Sequence, residues 1–332
     1  QVGKIPVNSG YEASGADLNA DGLVDLIALN SGHVGEAAGA DPNLGANIFF
    51  GGPRSPTALH GFDEKKRIAL REYGLSSSNV ADLNRDGYLD LILGQFFASK
   101  GAPTTELLIY YGGENGFDRK QRVGIPSPGR SISTVVADFN QDDWLDVAVN
   151  SFDKDLVRIF WGSRNGFDSK RQARISIINP IDLETADLNG DGHQTLFVAD
   201  NGWYIRGYDH AGNRVYDSDC RQIGLAGAFA LGAVVPEGSK RPYITVATGA
   251  GGACLDGDGK LYCRIAATGI ASDSVLQGSS SAPLARHRTA FRSAWGAGGW
   301  RARCRGLRRR VRPDDAGHAA RRQGGCRASV AG

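Results

Sequence analysis

The residues of this chain best suited to chemistry are acidic and amide side chains at alternate positions of a nine-residue motif that occurs four times. The copies begin at Asp17, Asp82, Asp138 and Asp187, and each has Asn third and Asp fifth. Oxygen side chains at alternate positions of a tight loop converge on one point, which suits a hard cation with about six to eight oxygen ligands. The repetition favours calcium binding over a set of solvated turns.

The sixth and ninth positions of the motif separate the four copies. The sixth is Gly in three copies and Asp143 in the other, which indicates a sharp, left-handed bend. The ninth is a carboxylate in the first three copies, at Asp25, Asp90 and Asp146, whereas the fourth has Thr195. We therefore expect three calcium sites and a fourth loop that is either a weak site or a plain turn.

The motif begins like an EF-hand loop but does not continue as one. An EF-hand needs a bidentate Glu at the twelfth position, where this chain has Ala28, Leu93, Val149 and Val198. Apolar runs rich in β-branched and other strand-forming residues follow the ninth position instead. The sequence therefore predicts that each loop lies between two strands.

The motif belongs to a longer repeat, because its copies start 65, 56 and 49 residues apart. Each of the first three loops is followed by an apolar segment that ends in Gly51, Gly112 or Gly162. A Gly-Phe-Asp tripeptide and a basic, strand-like run come next. Each unit thus reads as four short antiparallel strands: one entering the loop, one leaving it, one ending in Gly, and a polar outer one.

The strands that leave the loops are apolar on both faces, as they must be when each sheet is packed between two others. Radially repeated four-stranded sheets form a β-propeller, so we predict an all-β propeller of four-stranded antiparallel blades. Five units are recognisable within a domain spanning 1–275, and the last has no loop motif. Their approximate limits are 9–70, 76–125, 131–177, 181–223 and 226–270. Residues 1–8 resemble an outer strand that either completes the last blade or remains from a blade upstream.

Residues 276–332 form an Arg-, Ala- and Gly-rich tail for which we predict disorder or out-of-frame coding. The formal net charge of +2 conceals −9 in residues 1–285 and +11 in residues 286–332. The arginines at 305–312 are an alternative anion-binding patch, but no aromatic residues interleave with them, so we expect no nucleic-acid partner.

No run of 18 apolar residues occurs, so we expect a soluble protein without a membrane span. The absence of Met and of a signal-peptide pattern indicates a processed or truncated piece.

The five cysteines form neither a C-x-x-C pair nor a zinc-type spacing. Cys254 and Cys263 lie symmetrically about Asp256-Gly-Asp-Gly259, which indicates a hairpin. They are either a cross-strand disulfide or two buried thiols.

The segment Val80-Ala-Asp-Leu-Asn-Arg-Asp-Gly-Tyr-Leu-Asp-Leu91, with its downstream Tyr-Tyr-Gly-Gly and Gly-Phe-Asp, resembles the FG-GAP or VCBS repeats of integrin α-subunits. The likeness is good over residues 11–223 and weak over 224–270. It implies side-chain ligands at loop positions one, three, five and nine and a backbone carbonyl at seven. The implied ligands are Asp17, Asn19, Asp21, Leu23 and Asp25; Asp82, Asn84, Asp86, Tyr88 and Asp90; Asp138, Asn140, Asp142, Trp144 and Asp146; and only Asp187, Asn189 and Asp191 in the fourth loop.

The resemblance also implies context. Relatives commonly have seven blades, so a truncated seven-bladed ring is an alternative to a five-bladed one. Members are usually extracellular, periplasmic or on the cell surface, which suits calcium sites of millimolar affinity.

Two classes of function remain open at this point. The favoured one is a non-catalytic calcium-binding scaffold for adhesion or for binding a glycan or protein ligand; the alternative is a polysaccharide lyase-like or quinone-dependent enzyme. No catalytic residue is predicted, because the histidines form no spaced cluster and no nucleophile elbow occurs. The aromatic residues Phe49, Phe50, Tyr110, Tyr111, Trp161 and Trp203 form either a sugar-stacking surface or, as we expect from their strand spacing, part of the core.

Overall fold

The structure is a computed structural model that describes residues 10–30, 45–52, 61–62, 67–98, 101–235, 241–248, 251–266 and 291–294. The described residues form five antiparallel sheets that follow one another along the chain as the blades of a propeller. Helix is confined in this part of the chain to two single 3-10 turns, at Arg119–Gln121 and Phe152–Lys154. The predicted all-β propeller of four-stranded blades is therefore confirmed.

The first three blades contain the complete loop motifs. Blade 1 consists of β1 (Gly10–Ala16), β2 (Asp25–Asn30), β3 (Ala46–Phe49) and β4 (Ile68–Leu70). Blade 2 consists of β5 (Leu75–Ala81), β6 (Asp90–Gln95), β7 (Glu106–Tyr110) and β8 (Arg122–Pro126). Blade 3 consists of β9 (Thr134–Ala137), β10 (Asp146–Ser151), β11 (Leu156–Phe160) and β12 (Gln172–Ser176).

The last two blades follow the same plan. Blade 4 consists of β13 (Pro180–Ala186), β14 (Thr195–Asp200), β15 (Tyr204–Tyr208) and β16 (Arg214–Asp219). Blade 5 consists of β17 (Ala230–Val234), β18 (Tyr243–Thr248), β19 (Gly251–Leu255) and β20 (Leu261–Ala266). Successive blades meet through their first strands, which contact one another from β1 to β17.

Two sequence expectations lie at the ends of the chain. Residues 1–8 are outside the described residues, so the proposed outer strand there stays a prediction. Within the proposed tail, β21 (Phe291–Ala294) pairs antiparallel with β1. The limits of propeller and tail, and a truncated seven-bladed ring, also stay predictions.

The hydrophobic core lies between the blades. Leu91 and Leu93 of β6 pack with blade 1, whereas Ile92 between them packs with blade 3. Every residue of β6 and of β10 is buried. The predicted two-sided apolar strands follow from this arrangement, because alternate side chains of a strand point to opposite faces.

Side chains near the first strands join the blades by hydrogen bonds to backbone groups. Glu12 of blade 1 accepts from the Ser78 backbone N–H of blade 2 at 3.0 Å. Asn79 of blade 2 donates to the Thr134 carbonyl oxygen of blade 3. The Asp182 carboxylate of blade 4 accepts from the Leu231 N–H of blade 5 at 2.8 Å. These bonds satisfy buried polar groups and fix how each blade sits on the next.

A disulfide joins Cys254 and Cys263, which are directly opposite each other on β19 and β20 with Cα atoms 5.0 Å apart. This resolves the alternative left open by the sequence. Cys220 is a buried free thiol, and Cys304 and Cys326 lie outside the described residues.

We expect Asn150→Ala to lower the free energy of unfolding by about 3 kcal/mol, because it removes four hydrogen bonds at a fully buried site. The amide oxygen accepts from the N–H groups of Ile132 and Ser133, and the amide nitrogen donates to the carbonyls of Pro180 and Ile181 in blade 4. Urea unfolding measures the loss. The exposed Asn165→Ala is the matched control, with an expected change within about 0.5 kcal/mol. Equal stability of the two variants would show that these bonds do not hold blades 3 and 4 together.

Candidate metal-binding loops

All four motif loops lie at the same end of the propeller, because each connects the first strand of its blade to the second. They occupy residues 17–24, 82–89, 138–145 and 187–194, between β1 and β2, β5 and β6, β9 and β10, and β13 and β14. The predicted placement between strands is therefore confirmed.

The loops share one internal geometry, which the second loop illustrates. The two carboxylate oxygens of Asp82 accept from the N–H groups of Asp86 (3.1 Å) and Gly87 (3.0 Å). Asn84 Oδ1 also accepts from Asp86 N–H at 3.0 Å, and Asp86 Oδ1 accepts from Tyr88 N–H at 2.9 Å. The other three loops repeat these bonds. Oxygens from positions one, three and five are thus gathered around one short stretch of backbone.

Two positions in each loop have left-handed backbone. The sixth-position φ angles are 92° at Gly22, 91° at Gly87, 69° at Asp143 and 89° at Gly192, which confirms the predicted bend. The fourth position is also left-handed, with φ of 59° at Ala20, 63° at Arg85, 58° at Gln141 and 76° at Gly190. Sequence reasoning missed the fourth position, because Ala, Arg and Gln do not signal this conformation.

The ninth-position carboxylates are fully buried and already hydrogen-bonded to backbone. Asp90 accepts from Leu83 N–H at 2.8 Å through Oδ2 and from Gly112 N–H at 2.9 Å through Oδ1. Asp25 and Asp146 repeat both bonds. The sequence predicted each of these residues only as a metal ligand. In the structure each also joins its loop to the end of the third strand by hydrogen bonds.

The glycine at the end of that strand is required by close approach. A Cβ atom at Gly112 would lie 2.3 Å from the Leu89 carbonyl oxygen, and Gly51 and Gly162 are equally confined. In the fourth blade Thr195 replaces the carboxylate. His210 replaces the glycine, because it lies two residues after the end of the third strand at Tyr208, as the glycines do in the first three blades. The Asp and the Gly are therefore lost together. Sequence reasoning noted the repeated glycines but not this role.

The loop carboxylates carry an electrostatic strain. Burial, assisted by the charges of neighbouring loop carboxylates and opposed by the two backbone N–H groups, raises the pKa of Asp90 and of Asp146 to about 7. Burial likewise raises the pKa of Asp25. In the fourth loop the His193 N–H instead holds the pKa of the exposed Asp191 below its ordinary value. An adjacent cation would favour the ionised form in the first three loops.

The donor set of the first three loops fits calcium chemically. It consists entirely of carboxylate, amide and carbonyl oxygens, and an ionised carboxylate oxygen that accepts one hydrogen bond retains further lone-pair capacity. Within the described ranges, no three His, Cys, Asp or Glu side chains form a preassembled metal cluster. Ligand assignments for the 18 residues named from the sequence therefore remain predictions.

We expect Gly112→Ala to lower the free energy of unfolding by about 2–3 kcal/mol. The new methyl group would clash with the Leu89 carbonyl oxygen and displace the Gly112 N–H that donates to Asp90. Its neighbour supplies the control, since a Cβ atom at Gly113 meets nothing within 4 Å. Gly113→Ala should change stability by less than about 0.5 kcal/mol. Denaturant unfolding of both proteins measures the difference. A tolerated Gly112→Ala would contradict the assigned role of the carboxylate–glycine pair.

No helix in the described part of the chain combines the length and apolar character that a membrane crossing requires.

Comparison with known proteins agrees with the repeat geometry. Residues 82–149, which span the second and third loops, match the model of the FG-GAP-like repeat. Integrin alpha-PS5 from Drosophila melanogaster is 37% identical over 128 residues, covering 36% of this chain and 11% of that protein. Integrin alpha-6 from Homo sapiens is 30% identical over 164 residues, covering 46% of this chain and 13% of that protein. The chain thus spans only a small part of the length of these relatives.

One solved structure supports the fold alone. The crystal structure of BBS1N in complex with ARL6DN, soaked with mercury, superposes with a TM-score of 0.50 at 11% identity. It covers 87% of this chain and 93% of that chain. The repeat match over residues 82–149, the similarity to integrin α-subunits and the shared loop geometry together support an FG-GAP-like repeat in this chain.

Proposed function

We propose that this chain is a calcium-stabilised propeller that serves as a non-catalytic scaffold for adhesion or ligand binding outside the cell or at its surface. The observation that carries the proposal is the identical geometry of the first three loops around a buried, poorly solvated carboxylate. The integrin α relatives support the adhesion part, and their names are the reason for preferring an extracellular setting.

Each complete loop would hold calcium through the side chains at positions one, three, five and nine and the carbonyl at position seven. In the second loop these are Asp82, Asn84, Asp86, Asp90 and the Tyr88 carbonyl. The bound ion would supply positive charge that offsets the buried carboxylate and stiffens the connection between the first two strands. The fourth loop lacks the ninth carboxylate, so we assign it weak binding at most.

The partner we propose is an extracellular glycan or protein. Fold alone does not identify it, since propellers present different loops for different ligands. The loop end is a suitable location, because the exposed Leu23 and Tyr88 at position seven lie beside the proposed calcium ligands.

Chelation of calcium should lower the melting temperature of the full chain. At about 1 mM calcium and a Kd of about 0.1 mM, each site contributes roughly 1.4 kcal/mol to folding stability, or about 4 kcal/mol for three independent sites. Thermal unfolding in calcium and in EDTA measures this difference, with magnesium as the control cation. An unchanged melting temperature in EDTA would refute calcium stabilisation.

Asp86→Ala and Asp191→Ala form a matched pair that locates the calcium effect. Both carboxylates accept from the N–H two residues ahead and from the preceding Asn side chain, so both variants lose the same local bonds. We expect Asp86→Ala to remove about a third of the calcium-dependent stabilisation and Asp191→Ala to leave nearly all of it. Equal losses would contradict the ranking of the second loop above the fourth.

A calcium site should be recoverable in the fourth loop by restoring both missing residues. Thr195→Asp supplies the ninth carboxylate, and His210→Gly allows the strand end to approach it as in the other blades. We expect the double variant to add one calcium ion by isothermal titration calorimetry, whereas Thr195→Asp alone adds less binding. An unchanged ion count in the double variant would show that the carboxylate–glycine pair is not what the fourth loop lacks.

A further inference from the structure

A cavity of about 320 Å³ opens between blades 1 and 2 at the loop end of the propeller. Its floor is formed by Leu18, Phe50, Ile68 and Phe117, which are partly buried and pack on the core shared by these blades. The volume is at the lower end of the range for small-molecule sites, about 300–1,000 Å³. The predicted core assignment is borne out for Phe49 and Tyr110, which are buried, whereas Phe50 is partly accessible through this cavity.

The rim of the cavity is polar and has one accessible aromatic ring. Glu114 and Asn115 are exposed and supply a carboxylate and an amide group, whereas the amide nitrogen of the exposed Asn19 already donates to Asp21 at 3.0 Å. Tyr88 is 41% exposed and presents its ring beside them. The site therefore combines an apolar floor with hydrogen-bonding groups at its edge.

The fourth loop position differs between this junction and the next two. At the junction of blades 2 and 3, the Arg85 guanidinium lies over the ring of Trp144, 4.5 Å from its centroid. At the junction of blades 3 and 4, Gln141 Nε2 donates to the Gly192 carbonyl oxygen at 3.1 Å. Both side chains start from the left-handed fourth position and reach the next loop. The first loop has Ala20 at its fourth position. Tyr88 is the seventh residue of the second loop, as Trp144 is of the third, and the methyl group of Ala20 is too short to cover its ring.

We propose that the cavity between blades 1 and 2 binds one pyranose unit of a neutral glycan. A pyranose ring has C–H faces that suit an apolar floor and an aromatic ring, and a rim of hydroxyl groups that donate to carboxylates and exchange hydrogen bonds with amides. The carboxylate of Glu114 and the acidic loops on either side disfavour an anionic sugar. This inference rests on the proposed ligand-binding function and names the ligand class and its site.

The test uses the full chain and a panel of methyl pyranosides of glucose, galactose, mannose and N-acetylglucosamine, observed by saturation-transfer difference NMR and titration. We expect at least one of them to bind. Ala20→Arg should weaken that binding by about tenfold or more, because the new guanidinium would cover Tyr88 as Arg85 covers Trp144. Position 20 already has the left-handed backbone that Arg85 adopts, so the variant should fold normally.

Two further variants complete the experiment. Tyr88→Leu removes the ring but keeps the backbone carbonyl, and should also weaken binding by about tenfold. Ala211→Arg adds the same charge at an exposed turn of blade 4 and should leave binding unchanged. If Ala20→Arg proves unstable, Tyr88→Leu decides.

Two results would overturn the proposal: no binding of any glycoside up to about 20 mM, or equal binding by the parent, Ala20→Arg and Tyr88→Leu. Thermal unfolding with and without calcium separates this failure from failure of the scaffold function. Calcium stabilisation without binding of any glycoside would refute only the proposed pyranose site. Glycoside binding by a chain whose melting temperature is unchanged in EDTA would refute only calcium stabilisation.

Discussion

Burial of both faces of the central strands, which is complete in β6 and β10, is the constraint on which this molecule depends. A four-stranded blade cannot cover two apolar faces by itself, so each blade must pack between neighbours. In β6, Leu91 and Leu93 pack toward blade 1 and Ile92 toward blade 3. When the blades stack in this way, equivalent connections lie at the same end of the propeller. The acidic loops therefore share one surface as a result of the blade packing alone.

The buried ninth carboxylate connects that packing to the candidate metal chemistry. It holds the loop through one N–H and the third strand through a second, so the blade edge and the loop form one unit. The same burial raises its pKa, because the ionised form has lost solvent. A structural carboxylate and a calcium ligand are compatible roles here: the backbone bonds position the group, and a cation would offset its charge. Both residues of the pair are absent from blade 4, where Thr195 and His210 occupy their positions.

Differences between the repeats matter as much as their likeness. At the fourth loop position, Arg85 and Gln141 contact the loop of the next blade, whereas the first loop has the short side chain of Ala20. The cavity between blades 1 and 2 has a floor that belongs to the core and a rim that includes the loop residues Asn19 and Tyr88. A repeat fold supplies the same frame at every junction, and individual side chains then make different contacts from one junction to the next.

The sequence by itself determined the repeat, the strand plan, the fold class and the left-handed sixth position, because these depend on local spacing and alternation along the chain. It also located the hairpin that brings Cys254 and Cys263 together, while leaving open whether they are bonded. Only the tertiary structure decided that Asp90 is shared between Leu83 and Gly112, since that contact joins residues 22 apart across two strands. The left-handed fourth position could not be predicted, because Ala20, Arg85 and Gln141 are not residue types that indicate this conformation. The cavity could not be predicted either, because it exists only where blades 1 and 2 meet. Interactions between blades depend on side-chain reach across space, which a one-dimensional pattern does not record.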